Sequence, residues 1–191
     1  MDIYTKSPVI GEQPLEGGVL NLRISGFSSQ AIVSIADIVS AVDALPGHHL
    51  KGLREIVYAP YLSSTLRSLY TGRPGYSPKA EFIQRERKII FYDLCGYDLF
   101  HHILYHEIGH FVFFLALNSQ VKKRWVTKIF PQSPCITDYG ALNACEDFSE
   151  TYASYMCNAE ALKKFPRKYE FMREFVFSGR RETFKEKNCS P

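Results

Sequence analysis

A chain of 191 residues is long enough to bury a proper core within one domain. Its formal net charge of +3 gives no support to a nucleic-acid partner. An apolar fraction of 46% is ordinary for a globular protein, and the apolar run Phe111–Leu117 is too short to span a bilayer, so no membrane role is expected.

Residues 1–17 contain Pro8, Gly11, Pro14 and Gly17 with little periodicity and read as an extended arm. From Val19 to Phe27 the pattern alternates, with Val19, Asn21 and Arg23 set against Leu20, Leu22 and Ile24, which predicts a strand. Ser28 or Ser29 is then expected to cap a helix through Leu45, ended by Pro46-Gly47. Arg54–Ala59 reads as a short strand. Residues 60–78 read as a loop, with a turn of helix near Ser64–Tyr70. Ala80–Gln84 and Lys88–Leu94 read as two strands joined by the polar turn Arg85–Arg87. Asp98 is expected to cap a helix running to about Leu117, and Gln120–Phe130 forms another, broken by Pro131 and Pro134. A loop at Thr137–Leu142 leads into a helix from Asn143 to about Lys164, and Tyr169–Phe177 is a last amphipathic helix.

Strands first and helices after predict an α+β domain over residues 18–178, with a mixed sheet packed on a buried helix, a helical C-terminal part and a charged tail at 179–191. No basic segment followed by an apolar stretch opens the chain, so no secretory signal is visible. Five cysteines, an odd number, suggest reduced thiols. A cytoplasmic monomer is expected, or a protein exported by a signal-free route.

The densest chemistry lies in His106-Glu107-Ile108-Gly109-His110. Residues four apart share one helix face, so His106 and His110 can aim two imidazoles at one metal ion. Glu107 follows the first ligand, where a carboxylate reaches a metal-bound water. Apolar residues from Leu99 to Leu117 cover every side of this helix, which predicts burial. Buried imidazoles and a carboxylate cost several kcal/mol unless paired or coordinated, and one metal ion accounts for all three. Gly109 would let another element pack close beside the histidines. His102, one turn before His106, reads as a supporting or surface residue, because one straight helix cannot easily surround a tetrahedral ion with three ligands.

A catalytic zinc needs a third protein ligand. Glu146 is the candidate, on a face that continues through Glu150, Ala153, Ser154 and Cys157. Glu150 could then accept a hydrogen bond from the free ring nitrogen of one histidine. The competing reading makes Asn143 and Glu146 a capping box and Glu150 a solvated charge. Cys145 adjoins Glu146, but with no Cys-x-x-Cys spacing a thiolate ligand is disfavoured.

His-Glu-x-x-His at 106–110, with Tyr139, Gly140, Asn143, Glu146, Phe148 and Glu150 following, resembles the catalytic domain of anthrax lethal factor and the clostridial Pro-Pro endopeptidases. The resemblance covers roughly residues 54–160 and is specific only at the motifs. It implies a small zincin-like metallopeptidase of the gluzincin type, with Zn2+ held by His106, His110 and Glu146. It also implies that Tyr139 helps stabilise the reaction intermediate, and that the strand Lys88–Leu94 forms the upper edge of a cleft where an extended peptide pairs. The chain is shorter than those relatives and shows no long substrate-gripping loop, so their specificity does not transfer.

The expected activity is zinc-dependent hydrolysis of peptide bonds in a peptide or protein substrate. Glu107 would be general base to a zinc-activated water and Tyr139 the oxyanion donor. A zinc-binding but non-catalytic regulatory or interaction domain is the main alternative, and a metal-free structural protein the other.

Overall fold

The computed structural model describes residues 22–61, 78–94 and 96–177. Four short strands form one mixed sheet: β1 (Arg23–Ser25), β2 (Glu55–Tyr58), β3 (Ala80–Ile83) and β4 (Lys88–Phe91), in the order β1-β2-β4-β3. β1, β2 and β4 run parallel, and β3 is antiparallel to β4. Register aligns Ile24, Ile56 and Ile89, all fully buried, in one row facing the helices. Ala59, Ile90 and Tyr92 form a smaller cluster apart from that main core.

Lys88–Phe91 is therefore an inner strand and not the upper edge expected from the resemblance. Its partners are β2 on one side and β3 on the other. The run Lys88-Ile89-Ile90-Phe91 is buried at three consecutive positions, as a strand covered on both faces should be. Among the described residues β3 is the strand at that edge. It lies against the motif helix, with the Phe82 and Phe111 rings 5.6 Å apart edge to face.

Helix α1 spans Ile35–Asp43, five or six residues later than a cap at Ser29 or Ser28 would start it. Ser34 is the N-cap and forms a reciprocal capping box with Asp37. Residues 27–33 turn instead around the Gln30 side chain, whose Oε1 accepts from the Ile32 and Val33 backbone N–H groups. Helix α2 spans Tyr97–Phe111 and carries the motif. Gly96, at φ 107°, is its N-cap, and Asp98 sits within the first turn and does not cap. The helix widens into a π turn at Val112–Ala116. Phe100, Leu104, Ile108, Phe111 and Val112 are buried, whereas Leu99, Phe114 and Leu115 are each about two-fifths exposed, so burial is complete only through the middle of the expected apolar sleeve.

Helix α3 (Ser119–Arg124) is capped by Asn118 and continues as a π turn to Ile129. Helix α4 (Ala144–Leu162) packs along α2 and buries Phe148, Tyr152 and Ala153. Helix α5 (Pro166–Phe171) begins three residues before Tyr169, with Pro166 at its start, where a missing N–H is harmless. The turn expected near Ser64–Tyr70, the N-terminal arm and the charged tail lie outside the described residues. Among the described residues no helix is long and apolar enough to cross a membrane.

Candidate metal centre

Two helices set the site. α2 brings His106 and His110 to one face. α4 brings Glu146 in its first turn, because Asn143 Oδ1 caps the helix by accepting from the backbone N–H of Cys145 at 2.9 Å and of Glu146 at 3.0 Å. The Glu146 carboxylate does not return to Asn143 as a capping box requires; it turns to the histidines. The helices approach closely at Gly109, where an added Cβ would lie 2.9 Å from Ser149 Cα and 3.2 Å from Tyr152 Cβ.

Glu146 Oε2 lies 3.2 Å from His106 Nε2 and 3.1 Å from His110 Nε2. The two imidazole rings are 4.7 Å apart and nearly perpendicular. Glu146 Oε2 is buried yet has no hydrogen bond of good geometry. Two ring nitrogens and an orphaned carboxylate oxygen thus converge on one small space. That donor set, two imidazoles and one carboxylate, fits a divalent ion such as zinc.

The outward nitrogens of both rings also face side chains of α4. His106 Nδ1 sits 2.8 Å from Glu150 Oε1, an ion-pair contact without the alignment of a hydrogen bond. His110 Nδ1 sits 3.1 Å from Cys145 Sγ. Glu150 Oε2 accepts from the Thr137 hydroxyl at 3.1 Å and lies 3.5 Å from His102 Nε2. The sulfur of Cys157 and the Glu150 carboxylate beside His102 push its pKa up to about 9. Burial alone would lower the pKa of His106, but Glu146 and Glu150 outweigh it and push the ring up to about 10. Burial would likewise raise both carboxyls, yet the histidines draw Glu146 down to about 2 and Glu150 well below the usual carboxylate range.

Glu107 is 7% exposed, and burial raises its pKa despite the nearby imidazoles and a hydrogen bond from the Phe82 backbone N–H of β3. A buried carboxylate with a raised pKa is a better proton acceptor. Tyr139 is two-fifths exposed, and its ring centre lies 5.7 Å from that of His106. Thr137 fixes the turn that carries it: the hydroxyl oxygen accepts from Gly140 N–H at 3.0 Å while its hydrogen goes to Glu150.

No protein-family model and no curated protein matches this chain. The structure brings together all six residues singled out in the sequence: Glu107, Tyr139, His106, His110, Glu146 and Glu150. Three neighbours have roles that no spacing in the sequence announces. The Cys145 sulfur lies on the outward side of the His110 ring, away from the convergent nitrogens. The Thr137 hydroxyl links the Tyr139 turn to Glu150. Asp147, next to Glu146, forms a fully buried ion pair with Lys168 of α5. Nothing local in the Lys168 sequence marks it as buried, because its partner is 21 residues away.

Proposed function

We propose that this protein is a zinc-dependent endopeptidase with a zincin-like, gluzincin-type site, as the likeness to the lethal factor catalytic domain implies. The observation that carries the reading is the buried, unsatisfied Glu146 oxygen facing two imidazole nitrogens from another helix. His106, His110 and Glu146 would hold the ion. Zinc, when bound, supplies Lewis acidity toward a carbonyl oxygen and toward water.

The chain's own residues supply the rest. Glu107 takes the proton from the attacking water and returns it to the leaving amine. The Phe82 N–H holds that carboxylate in place. Tyr139, beside His106, donates to the oxygen on which charge develops. Glu150 and Thr137 orient His106 and the Tyr139 turn together. An extended peptide would pair through main-chain hydrogen bonds along the outer edge of β3, immediately beside Glu107.

The test is zinc content and casein or peptide-library digestion, compared among the parent, Glu107→Gln and Tyr139→Phe. Both variants should retain zinc. Glu107→Gln should lose turnover, and Tyr139→Phe should lose about 10²- to 10³-fold in rate. A parent that binds zinc and cuts no peptide would favour the non-catalytic domain, and Glu107→Gln turning over at the parent rate would refute the mechanism.

A further inference from the structure

We propose that Cys145 is a positioning residue for His110, its sulfur accepting the Nδ1 hydrogen and so holding the ring in the tautomer whose Nε2 lone pair faces Glu146 and His106. This rests on the zinc reading of the site. The geometry is compact. Cys145 Sγ is 3.1 Å from Nδ1, and Glu146 Oε2 is 3.1 Å from Nε2 of the same ring. Two successive residues of α4 thereby grip both nitrogens of one imidazole that belongs to another helix.

One cap sets both. Asn143 Oδ1 accepts from the N–H groups of Cys145 and Glu146, so the residue that starts α4 also aims the sulfur and the carboxylate. The sulfur cannot itself be a ligand, because it lies behind the ring. It acts as the partner behind a ligand, a place usually taken by a carboxylate, a carbonyl or water. The two histidines are thus supported unequally. His106 has a carboxylate at 2.8 Å, and His110 has a thiol. A thiol is a weak acceptor, so it fixes the tautomer without adding a formal charge to a site already holding Glu107, Glu146 and Glu150.

The experiment measures zinc affinity by competition with a chromophoric chelator, together with the visible spectrum of the Co2+-loaded protein. It compares the parent, Cys145→Ala and Cys145→Ser. Removing such an outer partner typically weakens metal binding about 10- to 100-fold, and Cys145→Ala should fall in that range with an altered Co2+ spectrum. Cys145→Ser restores an acceptor and should recover most of the affinity. Serine rescue separates a hydrogen-bond role from one of packing alone, and the thermal midpoint without added metal checks that each variant is folded. Zinc binding by Cys145→Ala within twofold of a tight-binding parent would overturn the role of Cys145 alone. A parent that binds no zinc would overturn this proposal and the zinc reading together.

Discussion

His106 stands between two carboxylates, and its proton is therefore coupled to any cation at the site. With no cation bound, Glu146 and Glu150 hold the ring as an imidazolium, since they push its pKa up to about 10. A metal needs the neutral ring, so binding must expel that proton. Between about pH 7 and 9, zinc affinity should rise close to tenfold per pH unit, with about one proton released per ion from this residue. Calorimetric titration with Zn2+ in buffers of different ionisation enthalpy reads the proton count directly, and a count near zero at pH 7.5 would contradict this arrangement. The principal ligand set was legible in the sequence because helix periodicity fixes how His106, Glu107 and His110 relate, and how Glu146 relates to Glu150. Cys145 and Thr137 were not legible in these roles. Each acts through a single contact across elements, and no spacing rule within one strand or helix announces such a contact.

Gly109 decides how the two site helices fit. Helix propensity alone favours alanine there by about 1 kcal/mol. The atom that an added Cβ would meet, however, is Ser149 Cα at 2.9 Å, a backbone atom that cannot swing aside. Overpacking of this kind typically costs about 1–3 kcal/mol, so Gly109→Ala should be net destabilising. Pushing α4 away from α2 should also move Glu146 off the histidines and weaken zinc binding. Urea unfolding of parent and variant measures the first effect, and an unchanged or raised midpoint would show that the helices part freely. Close approach at Gly109 was readable from sequence, since a glycine in mid-helix needs a reason. The start of α1 was not, because Ser28, Ser29 and Ser34 are all good caps and the Gln30 turn that excludes the first two depends on one side chain. The inner position of Lys88–Phe91 did leave a sign in its unbroken apolar run, which outweighs an edge role inferred from resemblance.

Across the whole molecule, one buried histidine ties distant parts of the chain together. His49 follows α1, is 1% exposed, and sits between Tyr152 of α4 and the end of the C-terminal helical segment. Its Nδ1 is 2.8 Å from the Tyr152 hydroxyl and its Nε2 is 2.8 Å from the Val176 carbonyl. The carbonyl can only accept, so Nε2 carries the hydrogen and Nδ1 accepts from Tyr152. That is the neutral ring. Burial lowers the pKa to about 4, aided by His48, whose ring packs 4.4 Å away. The folded pKa lies below the unfolded one, near 6.5. The unfolded chain therefore binds the proton first, and stability present above pH 6.5 is lost as pH falls toward 4. The shift corresponds to about 3 kcal/mol in all, of which about 2 kcal/mol should go between pH 7 and 5. Glu146 contributes to acid unfolding only lower, between the ordinary carboxylate range and about pH 2, so the two windows separate. His102 and His106, held protonated in the metal-free fold, gain stability over the same range and oppose this fall, so the His49 contribution is read as a difference. Chemical denaturation across pH 5–7 should show the stability of the parent relative to His49→Gln falling by about 2 kcal/mol from pH 7 to 5. If that difference stays constant, the acid sensitivity of this fold resides elsewhere than in the contact joining α4 to the C-terminal helix.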